Sequence, residues 1–448
     1  MPVKSSFKEM DIGAIYKVLA PFAKGPEVEQ RLKSLLDVNI VTLGQGGGRK
    51  GAEMARFGWD IWMVNSASVD MAEHDWIERK IKLEDPERGK LEGTAKNAGI
   101  GHSIAQKNID KFQKIAIDTQ ESDLVMLTVA LGGGQGNGSI PTASEWLIKV
   151  REMAGKKTEK DNPTIMVVAS IPARDEANPD IWRNALSGIK VLQDLINEKK
   201  IGSVILIDNE LIRNYYERNN PLVYNGKTFS ALDYSNIMLA RTFFEVMVLP
   251  LLSGPVSMDS AELMEILTTP GWLTINRTTL NTRDDVDVER EIELLFNQNE
   301  VFASLDIGSS IAGGIALVTS KSKALDPAVV DSVKPVANKI LGKPSILHSA
   351  VVQSNSITDT SFLLGLAVSP KLPDAITDSL FQRYEEETRR KEEREAAARQ
   401  ASAAFEGFQD VFSQVASRSA EKKKVSLDDL NAPAPQQEKK KITLDDLK

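Results

Sequence analysis

The chain has 448 residues, 42% hydrophobic and 26% charged, a globular composition with length for two to three domains of ~150 residues. Fifty-five Lys and Arg against 63 Asp and Glu give a formal net charge of −8, which argues against a body coated with cations for gripping nucleic acid. With no cysteine and only His74, His102 and His348, the chain excludes disulfides, thiol nucleophiles, Cys-ligated metals and a histidine-rich metal centre, and leaves chemistry to backbone, amides, carboxylates and Lys/Arg.

Residues 1–37 read as a helical N-terminal extension interrupted by Pro21, in which EVEQRLKSLLDV sets Val28, Leu32, Leu35 and Leu36 on one stripe. The opening MPVKSSFKEMDIG lacks the apolar centre of a signal peptide, and no stretch reaches ~18 apolar residues, so a cytoplasmic protein without a transmembrane segment is expected. From residue 38 the pattern becomes short apolar runs that end in glycine-rich or polar segments. VNIVTL enters GQGGG, DIWMV enters Asn65-Ser66-Ala67, LVMLTVA enters GGGQGNG, TIMVVAS enters IPARDEANP, and SVILI enters Asp208-Asn209-Glu210. Helices are expected between them at 51–57, 103–112, 142–154 and 181–199. Continuous apolar strands alternating with helices predict a parallel sheet covered on both faces, with ligands beyond the carboxyl ends of the strands. Residues 38–232 are thus read as an α/β nucleotide-binding domain.

A central helix follows at 233–254, with Pro250 expected to fray its last turn. Residues 255–370 read as a smaller α+β domain with a helix at 260–267 and strands at 310–319, 348–353 and 361–368. A long C-terminal helix is expected over 371–415, its Glu and Arg at i,i+3 and i,i+4 spacing suiting a solvated helix. Its end carries Phe405, Phe408 and Phe412 on one stripe, which either packs on the body or contacts a neighbour. The tail 416–448 repeats one motif, EKKKVSLDDL at 421–430 and EKKKITLDDL at 438–447, across a NAPAPQQ spacer too polar to build a core. Two ordered copies point to a duplicated partner-binding motif that gains avidity.

Glycine at a helix N-terminus leaves bare N–H groups that cradle anions. A phosphate-binding P-loop fails, because Gly46-Gly47-Gly48-Arg49-Lys50-Gly51 lacks the Gly-Lys-Ser/Thr ending. A dinucleotide fingerprint matches in letters at Gly46, Gly48 and Gly51, and would make the protein an NAD-dependent oxidoreductase. It asks for an acid at the end of the second strand, where Asn65 stands, and leaves GGGQGNG unexplained.

Both glycine segments together resemble the tubulin/FtsZ superfamily. Gly132-Gly133-Gly134-Gln135-Gly136-Asn137-Gly138 is similar to its GGGTG signature, with Gln135 in place of Thr and Asn137 in place of a small residue. The resemblance implies a tubulin-type α/β fold that binds GTP or GDP with Mg²⁺ held through the phosphates. It assigns phosphate contacts to Gly44, Gln45, Gly46, Gly47, Gly48 and Arg49, and a second-strand loop at Asn65, Ser66 and Ala67, where Ala67 departs from the usual acid. A third loop holds Ala98, Gly99 and Gly101. Pro172, Glu176 and Arg183 fall on the ribose segment, and Asn209, Tyr234 and Asn236 on the base. Gly254-Pro255-Val256-Ser257-Met258-Asp259-Ser260-Ala261-Glu262 resembles the family's catalytic loop, with Ser257 replacing Asn. Asp259 and Glu262 are then the acids that one subunit inserts over the GTP of the next, although two acids at this spacing also suit a helix cap. The signature departures, long helix and repeat tail are most like the plasmid- and phage-encoded TubZ branch rather than a cell-division FtsZ. That branch implies head-to-tail filaments and DNA segregation through an adaptor on the tail. Direct DNA or membrane contact by Lys422, Lys423, Lys424 and Lys439, Lys440, Lys441 is the other use of the tail, and a non-catalytic nucleotide-binding scaffold the other use of the fold.

Overall fold

The computed structural model describes residues 19–23, 25–219, 222–224, 226–281, 287–297 and 300–420. The two tail motifs, their lysine triplets and the first 18 residues of the N-terminal extension lie outside the described residues, as do the side chains of Phe405, Phe408 and Phe412.

Four residues, Pro26–Glu29, form the single-turn α1, followed by β1 (Val38–Leu43), α2 (Gly44–Ala55), β2 (Asp60–Asn65), α3 (Ser68–Ala72) and β3 (Lys80–Lys82). Then come α4 (Ala98–Lys107), α5 (Ile109–Asp118), β4 (Leu124–Ala130), α6 (Gly134–Met153), β5 (Ile165–Ile171), α7 (Pro179–Asn197), β6 (Ser203–Asp208) and α8 (Asn209–Arg218). A small hairpin, β7 (Val223–Tyr224) and β8 (Lys227–Thr228), precedes the central helix α9 (Ala231–Met247). The rest comprises β9 (Ser253–Val256), α10 (Ser260–Thr268), β10 (Gly271–Asn281), α11 (Val288–Asn297), β11 (Glu300–Val301), β12 (Ala312–Ser320), α12 (Pro327–Ile340), β13 (Ile346–Ser354), β14 (Thr360–Ser369) and α13 (Asp374–Ala420).

One sheet runs β3-β2-β1-β4-β5-β6-β10-β14-β12-β13-β9, with β11 beside β10. From β3 to β6 every pairing is parallel, and β1, β4, β5 and β6 are the apolar runs whose side chains are buried on both faces almost throughout. Beyond β6 the sheet turns mixed: β10 pairs parallel with β6 over three residues and antiparallel with β14 over its whole length. The fold is α/β with a large parallel-dominated sheet. Among the described residues no helix is long and apolar enough to cross a membrane.

The structure corrects the expected loops. The glycine segments are helical turns: α2 starts at Gly44 and α6 at Gly134, not at 51 and 142. Glycine costs about 1 kcal/mol in a helix, but here only hydrogen fits. A Cβ on Gly47 would lie 2.2 Å from the Thr128 carbonyl oxygen, and one on Gly136 would lie 2.6 Å from that of Leu43. The expected helix at 103–112 is two, α4 and α5, broken at Asn108, whose Nδ2 donates to the Ile104 and Glu84 carbonyls. The N-terminal stripe does not form one helix: Val28 is fully buried while Leu32 is 40% exposed. That segment is instead tied down by polar contacts, with Glu27 accepting from Asn355 N at 3.1 Å and Arg31 donating to the Leu251 carbonyl. The central helix ends at Met247, and Pro250 sits in a 3₁₀ turn at Leu249–Leu251. The 253–255 segment expected only to end that helix is an edge strand on β13.

Within α13, residues 389–402 are exposed and joined by Arg389–Glu393 and Arg399–Glu395 contacts at 4.0 and 3.8 Å, as a solvated helix requires.

Candidate functional site

Four parallel strands, β1, β2, β4 and β5, end at one cleft of about 310 Å³. Its floor is the first turns of α2 (Gly44, Gln45, Gly46) and α6 (Gly134, Gln135, Gly136) with Gly132 and Gly133. Most helices here cap their first turn with their own side chain, as Asn97, Asn178, Asp208 and Ser230 do. The N-caps of α2 and α6 are Leu43 and Gly133, and neither is capped by a side chain. Two uncapped, positively polarised helix ends therefore converge on the cleft, the environment a polyphosphate needs. Gly44 takes φ +68°, a left-handed backbone that lets α2 turn directly out of β1 against the Gly136 amide.

Asn65 and Ala67 form the wall beyond β2. The Asn65 amide oxygen accepts from Ser66 N and Ala67 N at 2.8 and 3.2 Å, and its nitrogen donates to Asp70 at 3.0 Å. Pro172 and Glu176 line the far side, and Asn209 closes it at the start of α8, where Asp208 caps the helix and burial raises the Asp208 carboxyl above its usual range.

Several residues singled out from sequence stand behind this lining. Gly47 and Gly48 pack into the sheet, and Arg49 pairs outward with Glu73 at 3.2 Å. Asn137 donates to the Asn184 carbonyl at 3.0 Å, and Asn184 in turn reaches the Lys96 and Gly132 carbonyls. Gly101 and Gly138 bring α4 and α6 into contact, and Ala98 and Gly99 sit in the first turn of α4. Arg183 pairs with Asp180 at 2.7 Å; Tyr234 stacks on Tyr216 at 4.6 Å; Asn236 is buried within α9.

The third wall is one that sequence reading set slightly too late: Gly93, Thr94, Ala95 and Lys96 line the cleft. Ala95 and Lys96 hold φ of 47° and 66°, consecutive left-handed residues of the kind that collect at ligand sites. Asp70 and Ser170 also line it, and beneath lies Lys50, whose Nζ donates to Ser170 Oγ at 2.8 Å and the Gly46 carbonyl at 3.3 Å.

Burial, with the Arg49 charge adding to it, pulls the Lys50 ammonium from 10.5 down to about 7. Between those values the unfolded chain binds more protons than the folded one, so this group makes stability rise with pH. Lys50→Met, which keeps the stem and removes the charge, is expected to raise the thermal unfolding midpoint at pH 7 and below. The gain should shrink towards pH ~10; a gain independent of pH would contradict the assignment.

The candidate acids lie elsewhere. Asp259 and Glu262 form a reciprocal cap on α10: Asp259 Oδ1 accepts from Glu262 N at 2.8 Å and Glu262 Oε2 from Asp259 N at 3.0 Å. They border a second hollow, of about 450 Å³, with Asp123, Lys156, Lys160 and Thr164. Asp123 and Thr164 immediately precede β4 and β5, whereas the cleft takes Ala130 and Ser170 from the other ends of the same strands. Strands of seven residues separate the two places by roughly 20 Å.

No protein-family model matches the chain. It is 24% identical over 434 residues to the tubulin-like protein TubZ of Bacillus cereus, covering 89% of this chain and 93% of that one. It is 24% identical over 331 residues to the cell division protein FtsZ of Methanothermobacter thermautotrophicus, covering 70% and 78%. The fold is similar to a GTPγS-form protofilament of Bacillus thuringiensis serovar israelensis TubZ, with a TM-score of 0.64 at 15% identity over 82% of this chain and 98% of that one. Its sequence is similar to TubZ along nearly its whole length, and its mixed sheet with a glycine-floored cleft at the parallel strand ends is a tubulin/FtsZ-like α/β fold.

Proposed function

We propose that the protein is a GTPase whose site is completed only between subunits, and that it assembles head to tail into filaments. The observation that carries this is the separation just described: anion cradle and acid pair stand at opposite ends of β4 and β5, too far apart to meet within one chain. Translation of one subunit along the strand direction brings the acids of one over the cleft of the next. Such a contact is heterologous and unclosed, so it propagates. The related TubZ was captured as a GTPγS-form protofilament, which supports the same reading here.

In the cleft, the α2 and α6 first turns receive the phosphates, Glu176 accepts from the ribose hydroxyls and Asn209 reads the base. Mg²⁺ would accompany the nucleotide and supply charge neutralisation at the phosphates. Asp259 and Glu262 of the neighbour orient and deprotonate the attacking water. Bound GTP favours the filament and GDP loosens it. The branch resemblance and the repeated tail support a role in positioning plasmid or phage DNA through an adaptor.

Turnover per molecule is therefore expected to rise steeply with protein concentration, in step with material that sediments. Turnover per molecule that stays flat on dilution would overturn the shared site.

Truncation after residue 420 is expected to leave turnover and sedimentation unchanged while removing capture of DNA-bound adaptor in a pull-down; loss of assembly would show instead that the repeats belong to the filament.

A further inference from the structure

We propose that His348 is the positioning residue for the water-aligning acid, its imidazolium clamped between two glutamates of α10 so that Glu262 is held in one orientation. This rests on the reading of Glu262 as the acid that acts on the neighbour's GTP.

His348 lies near the start of β13, beside Gly314 of β12, and its side chain is 18% exposed. Nδ1 is 3.1 Å from Glu262 Oε1, and Nε2 is 2.6 Å from Glu265 Oε2. The charged groups around it are thus Glu262 and Glu265 from α10, with Lys160, from the segment before β5, pairing with the other oxygen of Glu265. Asp259 stands behind Glu262 through the cap.

Carboxylate oxygens only accept, and a neutral imidazole has one N–H. Two ring nitrogens facing two carboxylates are satisfied together only by the imidazolium. Glu262 is then fixed at two points, Oε2 by the Asp259 amide and Oε1 by His348, while 38% of its side chain stays exposed with lone pairs free for a water. Without the ring, Glu262 Oε1 loses its anchor and the acid is free to swing on its stem. Water alignment is sensitive to misplacements of about 1 Å, so the loss is read in turnover rather than nucleotide affinity.

The test measures kcat and KM for GTP per sedimented subunit in the full-length protein. His348→Gln, which cannot place two opposed ring N–H groups between the glutamates, should lower kcat about tenfold with KM for GTP unchanged. Glu265→Gln loosens the far side of the ring and should lower kcat by a smaller factor, again at unchanged KM; it keeps the proposal testable if His348→Gln does not fold. Unchanged kcat in the variants that fold, with Glu262→Gln inactive, would overturn the role of His348. Full turnover in Glu262→Gln would overturn the reading of Glu262 on which it rests.

Discussion

Glu262→Gln is expected to lower GTP turnover by about 10²–10⁴-fold, the usual worth of a positioned acid–base group, while GTP-dependent filaments still sediment. The isostere is chosen because Glu262 also has a structural job. Its Oε2 caps α10 by accepting from Asp259 N, and an amide oxygen can do the same. Alanine would also remove that cap and cost ~1 kcal/mol of stability, mixing folding with chemistry. The same logic applies to Asp259→Asn, whose Oδ1 accepts from Glu262 N. Hydrolysis measured with saturating GTP, together with sedimentation, separates the outcomes. Turnover within about threefold of wild type for both variants would show that the pair is a helix cap and nothing more.

Glu245→Ala is expected to destabilise the fold by about 3–5 kcal/mol, read as a lowered denaturant midpoint. Glu245 sits in α9 with no exposure and accepts from Arg277 Nε at 2.7 Å and Nη2 at 3.1 Å; Arg241 lies 3.9 Å away. Arg277 is 7% exposed, lies over the Phe362 ring at 4.7 Å and also donates to the Leu19 carbonyl. Removing the carboxylate takes away the two-point partner of the Arg277 guanidinium beside the central helix. The double change Glu245→Met with Arg277→Met should recover much of the loss, since an apolar pair replaces an ion pair without leaving an orphaned charge. The consequence is functional as well as structural. The pair joins α9, which follows the cleft, to β10, which follows the acid loop and carries the chain into the mixed half of the sheet. A loss below about 1 kcal/mol for the single change would contradict this bracing role.

The parts of the fold legible in the sequence were those where one force dominates. The runs at β1, β2, β4, β5 and β6 are mostly apolar and end in glycine or polar residues, so burial on both faces could be read directly. β10 escaped because GWLTINRTTLN mixes polar residues into a buried strand: Thr274, Asn276 and Arg277 are all inside, Thr274 donating to Asn276 within the strand and Arg277 pairing with Glu245 of α9. α12 escaped because Pro335 lies inside it, where proline argues against a helix. The glycine turns read as loops for the same local reason, since propensity cannot report that a neighbouring strand leaves no room for Cβ.

The cleft was legible as far as glycine and a strand end could announce it. Gly44, Gln45, Gly46, Asn65, Ala67, Pro172, Glu176 and Asn209 line it with the second glycine segment. The wall at Gly93–Lys96 was not, because the left-handed backbone at Ala95 and Lys96 leaves no mark in residue type. Lys50 carried no assigned role in the sequence, whereas the fold buries it beneath the glycine floor of the cleft. His348 was a lone histidine in the sequence; its link to Glu262 spans 86 positions and exists only because β13 passes beside α10.

The central claim is that each active site is built from two subunits, and mixing two inactive variants tests it most directly. Glu262→Gln retains the cleft and lacks the acid. Gly133→Glu retains the acid and is expected to block the cradle: Gly133 has φ −77° and ψ 147°, open to any residue, its Cβ would meet only the Ala130 carbonyl oxygen, at 3.3 Å, which has to give slightly, and the position lines the cleft. Each variant alone is expected to be inactive, and an equimolar mixture to regain GTP hydrolysis at contacts where an intact cleft meets an intact acid loop. A mixture as inactive as its components, with both variants folded and Glu262→Gln still assembling, would contradict a site shared between neighbours.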